Sequence, residues 1–516
     1  MPGSDGSAQL GPWVEGVRYD LPSEDISPFG LKDMQNVRLT VAGAGEKRLG
    51  VKSYSDVAAL GGAPTVTSTG EFQIPGGASK VFMAAGNKFY EYSSGWVDRT
   101  GSVTITPGVD NVYEWVRAGS SLVMTNGVDT DAFKWSGTGD ATVLDDDARF
   151  TKGKHIAYWD NRLWIGNEDT NIDRLWYSEI GDIEDWPATN FYNLGSPITA
   201  LAPMQNGLSI HTEDAIHSLI PTGNATIPYQ LQQRTSSDPQ NPQRGGSLSG
   251  RAVVTLPNDL QVFPLDDGIY IWDGGTNVQK ISHALDLGYW DQIITSRLAY
   301  SFAVYFAAKN EVWFWLPYGK DQTTMNHIMV MSTKLKYQDP VTGDVRYAWY
   351  GPHNGSGATF DRACAAIINN KPHAGTFTGK VLDHSPERTY SDEGAAIAAF
   401  METGAPAPID AGTNLRWLWG DIYHDGLGAY TILVHQEAAN IEVQSGTFVT
   451  LIGGGAFPFD LGVDKLGTVR AQIRQINLVG YDPHTSLKFA NTEVDEPFRM
   501  RRARVHFAII GPHRRA

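Results

Sequence analysis

Residues 303–315 read AVYFAAKNEVWFW: an apolar strand, a Lys309-Asn310 tip, and a second strand dense in aromatics. Asparagine tolerates the positive φ that tight hairpins need, and aromatic and β-branched runs favour strands. The same form recurs on both sides. Towards the N-terminus stand LQVFPL–DDG–IYIW (260–272), LSIH–TED–AIHSL (208–219), IAYW–DN–RLWIG (156–166), LVMT–NG–VDTDAFKW (122–135) and VFMAA–GN–KFYEY (81–92). Towards the C-terminus stands CAAII–NN–KPHAGTF (364–377). The tips fall near residues 86, 126, 160, 213, 267, 310 and 370, at a mean interval of about 47 residues and steps of 34 to 60. A period of about 40–50 residues with several short strands per unit is the mark of a β-propeller. The expected fold is therefore all-β: a propeller-like body of about six or seven irregular blades, followed by a C-terminal β-sheet domain. The alternative is a multi-sheet β protein without radial symmetry.

Composition agrees with this class. The chain has 516 residues, 41% apolar and 19% charged, with 55 glycines, 27 prolines and 15 tryptophans. That is long and apolar enough to bury a large core, and rich in turn formers and aromatics. The net charge is −16. A duplex-gripping protein needs basic surface to displace counterions, so bulk acidity argues against one. It is compatible with a solvated assembly subunit, or with a wall that nucleic acid slides past without sticking. The exception is the end of the chain, where residues 499–516 hold six arginines and no acid. Arg499, Arg501, Arg502 and Arg504 make this a basic segment for docking on an acidic neighbour, or a solubilising strand end.

Three regions follow. Residues 1–60 form an N-terminal segment whose strands pair with other domains. Residues 61–390 form the propeller-like domain, with an insertion at 221–250. Residues 391–516 form the C-terminal β domain with its basic end. Ala395–Glu402 has helical propensity, but its setting among strands favours a strand. The insertion is poor in apolar residues and rich in turn formers. Stretches of this length inside a compact domain carry function or are disordered. Arg234, Asp238, Gln240 and Arg244 are its candidate contact residues, in a channel loop or a subunit-contact loop, against a simple exposed loop.

No catalytic set is apparent. There is no nucleophile elbow, Walker loop or His-Glu-x-x-His. His211 and His217 flank one hairpin tip without a third ligand in sequence, and read as ordinary strand histidines. Asp145-Asp146-Asp147 reads as an acidic turn rather than a cation site. Cys364 is the one cysteine. It excludes an intramolecular disulfide and reads as a buried small hydrophobe. No cofactor, metal or enzymatic activity is expected, and no apolar run is long enough for a membrane anchor. Trp176, Tyr177 and Trp186 surround a Gly181-Asp182 turn, as a clamp on that loop or as a subunit contact.

Two groups of residues carry a family resemblance. Asp33-x-x-Asn36-Val37-Arg38 with Glu46-Lys47-Arg48-x-Gly50 is the first. Asn161-Arg162-Leu163-Trp164 with Trp176-Tyr177-Ser178-x-x-Gly181-Asp182-x-x-x-Trp186-Pro187 is the second. In these the chain resembles the tail nozzle proteins, or tail tubular proteins B, of short-tailed bacteriophages. The resemblance implies a structural virion protein made in the bacterial host cytoplasm and placed in the virion tail. It implies a homo-oligomer, a six-fold ring below the tail adaptor protein. The propeller would lie outside, and a central channel would retain and then conduct double-stranded DNA without specific binding. Tail fibres are a further candidate partner. The competing expectation is a carbohydrate-binding or carbohydrate-cleaving propeller facing a receptor, with exposed tryptophan faces or a carboxylate pair in its central pocket.

Overall fold

The structure is a computed structural model. It describes residues 5–512 apart from 145–149, 225–226, 236, 239–240, 243–244, 340–342, 356–359, 388, 406–412, 425–428, 437–440, 450–471, 478–484, 493 and 495–496. Among the described residues the helical elements are short 3-10 turns, and the rest of the regular structure is strand.

Seven four-stranded antiparallel units follow one another. Blade 1 covers residues 66–98, blade 2 114–143, blade 3 155–193, blade 4 198–233, blade 5 254–280 and blade 6 302–353. Blade 7 takes three strands from residues 362–383 and its fourth, Lys52–Ser53, from the N-terminal segment. The first strand of each blade packs beside the first strand of the next, and Arg362–Ile368 of blade 7 packs beside Val66–Gln73 of blade 1. The ring is thus closed, with a strand from before blade 1 completing blade 7. The apolar cores lie between blades. Phe72, Phe82 and Phe89 of blade 1, for example, pack on Leu122, Phe133 and Trp135 of blade 2.

The tips behave as their residues require. Asp160 and Asn161 both have positive φ (52° and 56°), as do Asn369 and Asn370 (50° and 59°). Two successive left-handed residues match the right-handed twist of the flanking strands. The uneven spacing also has a cause. The tips at 160, 310 and 370 join the first and second strands of their blades, whereas those at 86, 126, 213 and 267 join the second and third.

Blade 6 continues beyond its fourth strand. Val345–His353 pairs with Gly16–Val17, and the sheet runs on through Gly30–Gln35, Ala399–Thr403, Thr485–Asn491 and Ala429–Gln436 to Ile441–Val449, ten strands in all. The 395–402 stretch is therefore extended. A second C-terminal sheet has Arg499–Pro512 at its centre, flanked by Thr413–His424 and by Asp5–Leu10. The 221–250 region needs correcting. Its first part holds Tyr229–Gln233, the outer strand of blade 4, so only the residues after Gln233 lie outside the blades. The strand escapes a hydropathy reading because an outer strand packs on one face alone. Tyr229 and Leu231 meet the core, while Gln230 and Gln233 face outward.

Candidate functional site

Arg48 stands at the meeting of the N-terminal segment, blade 6 and the C-terminal strands. Each of its five N–H groups is used. Nε donates to Asn36 Oδ1 (2.8 Å), Nη1 to Leu49 O and Asp392 Oδ1 (both 2.9 Å), and Nη2 to Asn354 O (2.9 Å) and Asp392 Oδ2 (2.6 Å). Asn36 sits at φ 54°, a conformation asparagine tolerates. From there its side-chain amide donates to Ala398 O (2.8 Å) and its Oδ1 also accepts the Asn354 N–H. Arg38 bridges Glu46 (2.7 Å) and Glu311 of blade 6, and these carboxylates raise its pKa further despite burial. Lys47 is buried and donates to Asn491 Oδ1 (2.8 Å). A Cβ at Gly50 would lie 1.9 Å from Ser391 O, so only glycine lets these two backbones meet. The first sequence signature is thus a joint between propeller and C-terminal sheets.

The second signature belongs to blade 3 and packs on blades 2 and 4 at either side. Arg162 donates to Ser178 O (2.6 Å) and to Tyr229 Oη (3.1 Å), with its guanidinium over the Tyr177 ring (5.4 Å). Gly181 N–H donates to Asn161 O (2.7 Å), and Ser178 N–H to Leu163 O (2.9 Å). Trp186 meets Phe150 edge to face at 4.9 Å and donates to Ile183 O (3.0 Å). Trp176 lies against Phe191 (5.1 Å), and Tyr177 against Trp164 (4.9 Å). Trp176, Tyr177 and Trp186 are 6%, 7% and 4% exposed. Their rings are spent inside the chain, which leaves the alternative of a subunit contact almost no ring surface to use.

The other sequence candidates fall in two places. Arg234 follows the outer strand of blade 4, at the propeller rim, and its Nε is buried without a partner among the described residues. Ser237–Asp238 pairs with Asn241–Pro242. Gln240, Arg244 and Asp145–Asp147 lie outside the described residues. Arg499, Arg501, Arg502 and Arg504 belong to a central strand rather than a free tail. Arg499 Nε lies 3.7 Å from Glu46, Arg502 caps the Tyr423 ring at 4.4 Å, and Arg504 sits between Gln9 and Asp421 in register.

Sequence reading did not find the residues gathered at the propeller axis. The segments leading into blades 2, 3, 4, 5 and 6 converge on a cavity of about 670 Å³. In its wall His155 Nδ1–H donates to Glu114 Oε1 (2.9 Å), and the other carboxylate oxygen accepts the Ile156 N–H (3.3 Å). His155 Nε2 and Thr199 Oγ1 are buried without a partner among the described residues. A Cβ at Gly250 would lie 2.3 Å from Glu114 Oε1 and 2.7 Å from His155 Nδ1, so the pair depends on that glycine. His211 is elsewhere. Its Nδ1 accepts the Ser247 N–H (3.1 Å) and its Nε2–H donates to Gln261 Oε1 (3.2 Å). Burial holds its pKa down at about 4. A neutral imidazole bonded at both nitrogens has no lone pair left for a metal. No group of three or more metal-ligating side chains occurs among the described residues.

Fold and site together define a seven-bladed β-propeller, joined through one blade and its own N-terminal segment to a C-terminal β module. No protein-family model matches the chain, and no curated protein matches it. Solved structures to which it is similar include a streptogramin B lyase, at 13% identity and TM-score 0.42 over 65% of this chain and 97% of that one. Virginiamycin B lyase from Staphylococcus aureus is another, at 11% identity and TM-score 0.41 over 66% and 98%. A third is the extracellular domain of a one-component system from B. thetaiotaomicron, at 11% identity and TM-score 0.43 over 82% and 57%.

Proposed function

We propose that the chain is a structural subunit of a ring-shaped nozzle at the lower end of a short bacteriophage tail. The observation that carries this reading is the use to which the first signature is put. Asn36, Arg38, Glu46, Lys47 and Arg48 fasten the propeller to the C-terminal sheets. The ten-stranded sheet makes the same joint through backbone. Such a rigid two-part body suits a part under mechanical load.

In this reading DNA runs through a channel lined by several copies, not through one propeller. A 670 Å³ axial cavity has the size of a small-molecule pocket, roughly 300–1,000 Å³, and cannot pass a duplex. The −16 charge keeps a passing polyanion from sticking. Ring contacts of this type are heterologous, so each subunit shows its neighbours two different faces. The segment after Gln233 is the candidate for one of them. Arg499, Arg502 and Arg504 have neighbours within the chain, so docking on an acidic adaptor would rest on whatever positive charge the strand Arg499–Pro512 leaves at its edge. Tail fibres are a further candidate partner in this reading. Among the described residues no helix is long and apolar enough to cross a membrane.

Light scattering with negative-stain imaging of the purified protein, alone and with its adaptor, tests the reading. Six-fold rings are expected in at least the mixture. A persistent 56 kDa monomer in both preparations overturns it. Of the two features the carbohydrate reading calls for, exposed tryptophan faces do not occur among the described side chains, each tryptophan being buried or half-buried, whereas Asp110, Glu114 and Glu213 do line the axial cavity.

A further inference from the structure

Beside the axial cavity, and sharing Asp110, Val112, Arg251 and Tyr300 with it, lies a second cavity of about 340 Å³. Three arginines line it, Arg251, Arg297 and Arg362, against one carboxylate, Asp110. Arg297 consumes that carboxylate at 2.7 Å. Arg251 is left with no carboxylate partner among the described residues. Its Nη1 donates to Ala363 O (3.0 Å) and its Nη2 to Tyr300 O (2.7 Å), and its guanidinium stacks over Phe302 (5.4 Å). A guanidinium carries five N–H groups in a planar fork, so three remain for a ligand. Arg251 is half-buried, and a cation drawn partly out of water without a counter-charge carries a cost that a bound anion removes. Burial holds Arg251 below its ordinary pKa and brings Arg362 down to about 10, in line with a shortage of negative charge here.

The rest of the wall decides which anion fits. Val109, Val112, Met325 and Phe377 supply apolar surface, and 340 Å³ exceeds the volume of a bare oxyanion. We propose that this cavity binds a small organic anion, its carboxylate on the free side of the Arg251 fork and its apolar body against Val112, Met325 and Phe377. The inference does not depend on the nozzle reading. The wall is drawn from the segments before blades 2, 5 and 6, from the 323–325 loop of blade 6 and from blade 7. A ligand bridging these parts should stabilise the closed ring, since anything that binds only the native state raises its melting temperature.

The test uses the full chain, with benzoate, butyrate and succinate as probes and inorganic phosphate and chloride as comparisons at matched ionic strength. Calorimetry and thermal unfolding should show at least one carboxylate binding one to one and raising Tm, with phosphate and chloride inactive. Arg251→Lys keeps the charge and loses the fork, and should weaken that binding at least tenfold. Val112→Phe keeps Arg251, narrows the cavity and should abolish binding, which guards against misfolding of the first variant. No response to any carboxylate overturns the proposal. So does an equal response to phosphate and chloride, or unchanged affinity in both variants.

Discussion

Arg48 holds Asp392 through both terminal nitrogens, at 2.9 and 2.6 Å, across 344 residues of chain. The pair is largely removed from solvent, and Arg48's other N–H groups are spent on the same joint. Breaking a buried pair from one side leaves a bare charge, at a cost of about 3–5 kcal/mol. Asp392→Ala should therefore loosen the C-terminal sheets from the propeller before the blades melt. Thermal unfolding of this variant should split into two steps, with early proteolysis after residue 390. A single transition at the native temperature would show that the joint does not rest on this pair.

The tryptophans of blade 3 predict a local effect. Trp186 and Trp176 fill the core between blades 2 and 3. Truncating a buried tryptophan costs about 3–5 kcal/mol. Trp186→Ala should destabilise the 175–187 loop, lower Tm and reduce any assembly beyond the single chain. A normal Tm and an unchanged oligomeric state would remove the clamp role.

How much of this was open to sequence reading depends on the range of the interaction. Hairpins are local. Asp160-Asn161 and Asn369-Asn370 announce their own turns, so the blades and the all-β class could be read. The outer strand Tyr229–Gln233 could not, because two core-facing residues among three glutamines give too weak an alternation. The closing strand Lys52–Ser53 is two residues long and takes its meaning from Leu382 and Asp383. The axial residues were invisible for a similar reason. Glu114, His155, Arg251, Arg297 and Arg362 are spread over some 250 residues, and what unites them is a place in the ring that no local pattern encodes. The one signal available was positional: residues at or just before the start of each blade's first strand converge on the axis.

His211 predicts a pH dependence. Its pKa falls from an ordinary 6.5 to about 4 on folding. Below 6.5 the unfolded chain takes up a proton that the native site refuses, so stability present above 6.5 is lost as pH falls towards 4. For this residue the loss is about 3 kcal/mol. Burial also lowers the pKa of His217, His327 and His353, which adds in the same direction. Tm measured from pH 7.5 to 4 should fall, and fall less steeply in His211→Gln, which retains a polar partner for Gln261. Parallel slopes in the two proteins would rule out the assignment.

Cys364 offers a probe of global opening. It is buried between blades 7 and 1, with Sγ 3.4 Å from Val66 O, and its thiol pKa is pushed up to about 12. The thiolate is the reactive form, so a disulfide reagent at pH 8 should find no thiol in the native protein and one per chain in denaturant. Labelling at the rate of a free thiol under native conditions would mean that the ring opens where its last blade meets its first.

The loop beyond blade 4 separates a gate from a plain connection, provided the cut respects its anchor. Gly245 and Gly246 are buried, and a Cβ on them would strike Glu213 O at 1.8 Å and His211 Cβ at 2.4 Å. They belong to the propeller, and removing them would disturb His211 as well. A deletion of residues 239–243, bridged by two glycines, spares both. It should leave Tm within a few degrees of the parent, because it touches no core described above. If the chain lines a DNA channel, particles carrying this deletion should lose genome on storage or eject it at a changed rate. Unchanged retention and unchanged delivery would make the segment a plain connection.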